Sequence, residues 1–227
     1  MTLPASNRGL IDLTRHVLLL AAVLAVATQL LAQGPPPGNQ PPPPPPTAGI
    51  NATLDSDGSS ATYTVTEQLV GINFPNDAEG TTPTVSGNLV IAPDGSIPAS
   101  SSKLTADLRN LKSDQDQRDG YVRKNVLETD KFPTAEFVPT KIDGLPKMIP
   151  FTGQAGVQIT GNLTVHGVTK EVTFQGIATF NRNGTLAGRV KTTFNFATFG
   201  LNKPTIARLM SVDDKITLEL VYRLKRS

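Results

Sequence analysis

The strongest constraint in the sequence is an alternation of apolar and polar residues with a period of two, which is clearest in the second half of the chain. In the segment 153–165, Val157, Ile159, Leu163 and Val165 share one face. A period of two places successive side chains on opposite faces of a β-strand, so this segment is predicted to be a strand with one apolar face. A sheet that is apolar on one side must bury that side.

The same kind of signal recurs along the chain and predicts eight strands. They are residues 61–70, 84–91, 101–110, 134–142, 153–165, 168–180, 184–196 and 215–224. Most of the connections carry Gly, Pro, Asn or Asp, and "NRNG" at 181–184 is typical of a tight hairpin. Eight consecutive antiparallel strands bury a common apolar face by closing on themselves. We therefore expect an all-β, eight-stranded antiparallel barrel, which can hold packed side chains or one small apolar ligand.

One stretch, residues 111–133, departs from the strand pattern and is predicted to contain one short helical segment. Ser113 is a suitable N-cap, and Val122 and Val126 are four residues apart, so they share a helix face. We expect one or two helical turns that cover the mouth or the flank of the barrel.

The chain divides into three parts by composition. Residues 1–33 are predicted to be a signal peptide or an N-terminal anchor, because two arginines precede a short apolar run at 16–32. Residues 34–49 form a Pro-rich linker, since proline favours an extended, solvated backbone. Residues 50–227 are predicted to be one domain. This organisation indicates an extracytoplasmic protein: periplasmic, secreted, or anchored facing outward, with residues 16–32 as a membrane tether.

Charge and residue types exclude several classes of function. The formal net charge is +2, which argues against nucleic acid as a partner. The chain has no cysteine, so it offers neither a thiolate nucleophile nor a zinc–cysteine site. His166 is the only histidine beyond residue 33, and a metal site needs more ligands than one. We expect no metal.

Two groups of residues leave catalysis open as an alternative. His166 lies in a turn between two predicted strands, where a structural role is favoured over that of a general base. The cluster Asp114, Asp116 and Asp119 could supply paired carboxylates, although capping and solvation explain it equally well. Arg118 could bind a phosphate or form an ion pair with Asp119, Asp114 or a neighbouring strand. The alternatives to ligand binding are therefore a hydrolase that uses His166 or the Asp114–Asp119 cluster, and a non-binding structural surface domain.

Three stretches in a fixed order resemble the YceI-like family of exported bacterial proteins. They are residues 107–137, 161–174 and 193–224. The matching elements are the Arg118–Asp119 pair, "KFPTAEF" at 131–137, the turn around His166 and a late Phe-Gly…Asp…Ile pattern.

The resemblance implies a lipocalin-like barrel with an elongated apolar cavity. The family is associated with polyisoprenoids and similar lipids, including isoprenoid quinones, so a lipid ligand without enzymatic activity or a required cofactor is expected. A homodimer is compatible with it. The inward apolar positions and the matching pair make the following residues the predicted ligand-binding set: Val65, Arg118, Asp119, Phe132, Phe137, Leu163, Phe174, Phe194, Phe196 and Phe199.

Two segments depart from the family pattern. The first strand region, "ATYTVTEQLVGINFPNDAEG", carries Glu67 and Gln68 and no histidine, and the insertion 144–154 is long and interrupted by prolines. Both departures are expected to reshape the mouth of a cavity.

Overall fold

A computed structural model describes residues 49–146 and 149–226 of the chain. The predicted signal peptide or anchor, its tether segment and all but the last residue of the predicted linker lie outside the described residues. The compact unit Pro46–Ser227 contains every described strand and a hydrophobic core of its own. Within the part of the chain that the structure describes, no helix is both long enough and apolar enough to cross a membrane.

Ten strands form one antiparallel sheet. They are β1 (Ile50–Leu54), β2 (Ser60–Leu69), β3 (Asn76–Thr82), β4 (Val85–Ile91), β5 (Lys103–Asp107), β6 (Thr134–Asp143), β7 (Gly153–Val165), β8 (Val168–Phe180), β9 (Thr185–Asn195) and β10 (Leu209–Arg226). Strand β1 pairs with both β4 and β10, which closes β1 and β4–β10 into an eight-stranded barrel. Strands β2 and β3 add a further pair along β10. The predicted eight-stranded antiparallel barrel is confirmed, with two extra strands.

The strands that the sequence did not reveal lack a readable pattern. β1 has only five residues, and β3, "NDAEGTT", contains no large apolar side chain. β10 begins at Leu209 rather than at 215, and its register against β2 shifts between Val212 and Ile216. Such a bulge inserts extra residues into one strand and therefore breaks the period of two.

Helix α1 (Asp116–Tyr121) continues as one π-helical turn, Val122–Val126, which confirms the predicted short helical segment. The predicted N-cap was wrong, because Gln115 occupies that position. The backbone N–H and the hydroxyl of Ser113 instead donate to Oδ1 of the buried Asp119, at 2.7 and 2.6 Å. A buried carboxylate needs donors, and this requirement outweighs the capping preference of serine.

The half of the barrel away from α1 is filled by aromatic rings that lie over glycines. A Cβ atom on Gly188 would come within 2.7 Å of the Tyr222 hydroxyl, and one on Gly161 would come within 2.8 Å of the Phe137 ring. Phe137 also packs edge-on against Phe174, with ring centroids 5.0 Å apart. These rings occupy the space that the glycines leave, as is typical of curved sheets, so this half of the barrel is packed core.

The buried Tyr222 and the part-buried Tyr63 are expected to make the barrel sensitive to alkali. Burial raises the pKa of Tyr63 and of Tyr222 to about 12 in each case, compared with about 10 in an unfolded chain. The folded protein therefore keeps protons that the unfolded chain loses. Stability that is fully present below pH ~10 should fall by about 3 kcal/mol per tyrosine as the pH rises to ~12.

The measurement is the free energy of denaturant unfolding between pH 9 and pH 12, with Tyr222→Phe for comparison. The variant should lose about half as much stability over this range as the parent protein. Equal losses in the two proteins would show that Tyr222 does not carry the effect.

Candidate ligand-binding cavity

A cavity of about 780 Å³ occupies the end of the barrel next to α1. It lies between β2, β3, the start of β10, the helical segment and the loop that precedes β10. Ligand pockets in proteins usually measure about 300–1,000 Å³. Apolar side chains form most of the lining, among them Ala61, Val65, Leu69, Ala78, Ala106, Leu108, Leu111, Val122, Val126, Ala135, Val165, Leu201, Leu209, Ile216 and Leu218.

Small side chains keep this end of the barrel hollow. Ala106 on β5 lies directly opposite Ala135 on β6, and both line the cavity. Ala61 and Ala78 add two further short side chains from β2 and β3. At the other end the corresponding space holds phenylalanine and tyrosine rings. These four short side chains leave empty space beside the larger residues, such as Tyr63 and Phe196, that also line the cavity.

The mouth of the cavity carries a paired arginine. Nη2 of Arg118 lies 2.8 Å from Oε1 of Glu67, and its other terminal nitrogen binds Asp114. Burial alone would lower the pKa of Arg118, but the Glu67 and Asp114 carboxylates outweigh burial and raise it. The hydrogen bond from Arg118 lowers the pKa of Asp114 in turn. Gln115 and Gln117 also line this edge and add neutral hydrogen-bonding groups.

Of the two interpretations of Arg118 that the sequence left open, the structure shows the ion pair, with Asp114 and with Glu67 on a neighbouring strand. Glu67 belongs to the first segment that departs from the family pattern, and Leu69, Val70 and Ile72 of the same segment also line the cavity. In the second departure, residues 144–154, none of the described residues 144–146 and 149–154 belongs to the lining.

Four residues of the predicted ligand-binding set line the cavity: Val65, Arg118, Phe194 and Phe196. Six do not: Asp119, Phe132, Phe137, Leu163, Phe174 and Phe199. Strand parity selects the inner face of a strand but gives no position along the barrel axis, so it cannot separate the hollow end from the filled end.

The six other residues have packing or anchoring contacts. Phe137 and Phe174 contact each other in the filled half, and Leu163 is buried in the same core. The fully buried Phe199 packs edge-on against Phe194, with centroids 4.6 Å apart. Phe132 packs against His166, and Asp119 binds Ser113. The ligand-binding prediction is therefore kept for the four residues that line the cavity.

Several lining residues were missed in the sequence. Tyr63 shares the parity of Val65 on β2, so that strand's alternation could have identified it. Tyr121 and the loop residues 204–208 lie outside any strand, and no periodic signal marks them.

His166 is a turn residue. It has a φ of +52° and the following Gly167 has a φ of +76°, which is the backbone of a two-residue hairpin turn with both central residues left-handed. Its ring packs edge-on against Phe132, with centroids 4.6 Å apart, and its Nε2 lies 3.7 Å from Oε2 of Glu128. Through these contacts, the segment that follows the helix packs against the β7–β8 turn.

The structure does not bring His166 and the Asp114–Asp119 cluster together in the lining of the cavity. The cavity lining contains neither His166 nor Asp114, Asp116 or Asp119. Glu67, the one carboxylate among the described residues that line the cavity, is paired with Arg118. Among residues 49–146 and 149–226, no cluster of metal-ligating side chains is present. The arrangement is that of a binding cavity with one polar edge.

Substitutions of His166 should separate a turn residue from a catalytic one. His166→Asn is expected to keep the fold and any cavity ligand, because asparagine tolerates a positive φ. His166→Val should cost about 1–2 kcal/mol, since a β-branched residue is strained in this conformation. Thermal unfolding and ligand content of both variants provide the measurement. Loss of ligand from a stable His166→Asn protein would contradict the structural role.

A second depression, of about 730 Å³, lies where β8 and β9 separate. Over the described length of the two strands, their pairing ends at Gln175 and Lys191. The lining is mainly polar, and Phe194 contributes to it as well as to the apolar cavity. Phe194 therefore forms part of the wall between the cavity and this outer groove.

The comparisons of this chain with known proteins point to one family. The YceI-like domain matches residues 53–224. A UPF0312 protein of Pseudomonas putida (strain GB-1) is 36% identical over 128 residues, which cover 52% of this chain and 62% of that protein. A UPF0312 protein of Vibrio vulnificus (strain YJ016) is 30% identical over 172 residues, covering 73% of this chain and 84% of that protein. The chain thus spans less than two thirds of the Pseudomonas relative.

Solved structures share the fold. A polyisoprenoid binding domain from Saccharophagus degradans, implicated in plant cell wall breakdown, has a TM-score of 0.62 at 16% identity, covering 78% of this chain and 99% of that one. BcnA of Burkholderia cenocepacia has a TM-score of 0.55 at 18% identity, with coverages of 75% and 98%. At these identities the likeness establishes the barrel.

Proposed function

The chain belongs to the family of YceI-like domains, and from this membership we propose that it is an exported protein that binds an isoprenoid-type lipid. The lipid would be a polyprenyl chain or an isoprenoid quinone, held as cargo or as part of a stress response. The observation that carries the proposal is the apolar cavity of about 780 Å³ with a single polar edge. The name of the Saccharophagus degradans neighbour, a polyisoprenoid binding domain, supports the ligand class.

The cavity suits a short or partly inserted isoprenoid tail. If each non-hydrogen atom takes roughly the 30 Å³ that a water molecule occupies in the liquid, the cavity accepts about 25 atoms, or about five isoprene units. A longer tail would extend through the mouth. The alanines at this end leave room for the methyl branches of such a chain, and Phe196 and Leu218 provide part of the apolar wall.

The charges at the mouth favour a neutral head group. Arg118 already binds two carboxylates, Glu67 and Asp114, and Arg208 adds one positive charge to the lining. These four side chains sum to a net charge of zero. A phosphate head would have to displace a carboxylate from Arg118, whereas a quinone carbonyl or a hydroxyl can bind the amides of Gln115 and Gln117 without that cost.

Binding without catalysis fits this site better than the alternatives. A non-binding structural domain would fill its barrel with side chains, whereas this barrel has a cavity. A hydrolase would place a general base beside a free carboxylate at the cavity, and the described lining residues do not provide that pair. Export, the tether at 16–32 and a homodimer remain predictions from the sequence.

Calorimetric titration of delipidated residues 46–227 tests the proposal. The probes are a short-tailed isoprenoid quinone, a polyprenol and the matching polyprenyl phosphate. We expect saturable one-to-one binding of the two neutral lipids, and weaker binding of the phosphate. Tighter binding of the phosphate would overturn the head-group argument alone. Absence of saturable binding by all three would contradict the proposed ligand class.

A further inference from the structure

The rim of the cavity carries an exposed apolar patch. Most of the large apolar side chains that are exposed within the described residues lie in two segments beside the mouth, the β2–β3 connection and the residues around the start of β10, and only Phe151 and Ile177 lie elsewhere. We call the group at the rim the mouth patch: Val70, Ile72, Phe74, Ile206 and Met210. Scattered exposed apolar residues are normal, but a contiguous group of this kind marks an interaction surface.

The two segments that carry the mouth patch are joined by hydrogen bonds and strand pairing. The backbone N–H of Val70 donates to the carbonyl oxygen of Arg208 at 2.9 Å, and Leu69 pairs with Leu209. The Gln68 side-chain amide donates to the carbonyl oxygen of Ile72. The patch is thus one surface that both strands hold in place.

The mouth patch is continuous with the interior of the cavity. Val70, Ile72 and Ile206 belong to both the patch and the cavity lining. Phe74, 78% exposed, and Met210 do not line the cavity, but each closely follows a lining residue in the chain, Ile72 and Leu209 respectively. An apolar chain could therefore pass from this surface into the cavity along apolar side chains throughout.

We propose that the mouth patch docks on the surface of a lipid bilayer, where it brings the cavity entrance into contact with membrane lipid. Segments 69–75 and 206–210 contain a single charged residue, Arg208, and no acidic residue. Apolar side chains bounded by one arginine match the interface of a bilayer, which presents phosphate groups above an acyl region. The route of lipid entry rests on the proposed function, but docking itself does not.

A bilayer explains the position of the patch better than a protein partner does. A protein seated on the patch would cover the cavity entrance, whereas a bilayer leaves it facing lipid. Because Arg208 is the one charged residue in segments 69–75 and 206–210, docking should depend mainly on apolar insertion and only weakly on anionic lipid and salt.

The test is vesicle flotation of residues 46–227, which contain the complete barrel and its core. The vesicles contain phosphatidylcholine alone, or phosphatidylcholine with phosphatidylglycerol. The test variant is Phe74→Ser with Met210→Ser, two residues outside the cavity lining. The matched control is Phe151→Ser with Ile177→Ser, two exposed apolar residues away from the mouth. Phe151 lies just before the start of β7, and Val165, at the end of this 13-residue strand, lines the cavity. A strand of that length spans roughly 40 Å, so Phe151 is far from the mouth.

We expect the parent domain and the control to float with both kinds of vesicle, and the mouth-patch variant to lose about tenfold or more in partitioning. Failure of the parent domain to float, or equal losses in both variants, would overturn docking. A dimer that becomes a monomer in the Phe74→Ser, Met210→Ser variant would also overturn it, by assigning the patch to a second copy.

Docking and ligand binding can fail separately in this design. The mouth-patch variant should retain the lipid that calorimetry detects, since its two residues do not line the cavity. A variant with a blocked cavity, Ala135→Phe, should still float. A parent domain that binds isoprenoid but not vesicles would refute docking alone, and one that floats but binds no isoprenoid would refute the proposed function alone.

Discussion

Replacement of Ala135 by phenylalanine is expected to weaken lipid binding and to leave the barrel folded. Ala135 lines the cavity opposite Ala106, so a phenyl ring at this position would occupy space that is empty in the protein. Filling a cavity adds apolar contacts and creates little strain, and the stability of the variant should stay within about 1 kcal/mol of the parent or rise. Calorimetric titration with isoprenoid lipid and thermal unfolding measure the two effects.

The same substitution in the filled half serves as the matched control. Ala178 on β8 is 2% exposed and belongs to the packed core. Ala178→Phe should therefore lose about 1–3 kcal/mol or more through overpacking. Undiminished lipid binding by a folded Ala135→Phe protein would show that the ligand lies elsewhere. Similar destabilisation by both substitutions would mean that the cavity end is as tightly packed as the rest of the barrel.

Phe174→Ala is expected to destabilise the barrel by about 3–5 kcal/mol, the usual cost of removing a buried phenyl ring. Phe174 is buried in the filled half and packs edge-on against Phe137. Its neighbours belong to strands that pair over most of their length, so they cannot close the void without loss of pairing. Denaturant unfolding at neutral pH measures the loss.

Phe194→Ala is the comparison at the cavity. Phe194 is part-exposed and already borders empty space, so its removal should cost no more than about 2 kcal/mol. The change should also open the cavity toward the groove between β8 and β9 and weaken ligand binding. If Phe194→Ala costs as much stability as Phe174→Ala, Phe194 belongs to the continuous core and not to a cavity wall.

The sequence predicts the barrel because its constraint is periodic. Inner-facing positions such as Val157 in β7, Phe174 in β8 and Val190 in β9 alternate with polar residues, and all three are buried. Burial of one face of each strand requires closure, and closure defines the architecture. The two strands that escaped prediction, β1 and β3, are the ones in which shortness or small side chains hide the period.

The candidate site is less predictable because it depends on position along the barrel axis and on contacts between distant segments. Parity places Phe137 and Phe194 on the inner face alike, yet only Phe194 reaches the cavity. The Arg118–Glu67 pair joins residues 51 positions apart in the chain, and no local pattern reveals it. The mouth patch likewise forms only when pairing brings residues 69 and 209 together.

Native mass spectrometry of residues 46–227 tests the central claim most directly. The domain is purified from a bacterium that makes isoprenoid quinones, starting from a lysate that still contains the cytoplasmic membrane. Solvent extraction of the same sample identifies any bound compound. We expect one lipid per barrel, with the mass of a neutral isoprenoid, and a smaller lipid-bound fraction of the Ala135→Phe protein purified in parallel. A barrel that carries only its polypeptide mass, with no isoprenoid in the extract, or a lipid retained equally by Ala135→Phe, would contradict a lipid-binding cavity at this end of the barrel.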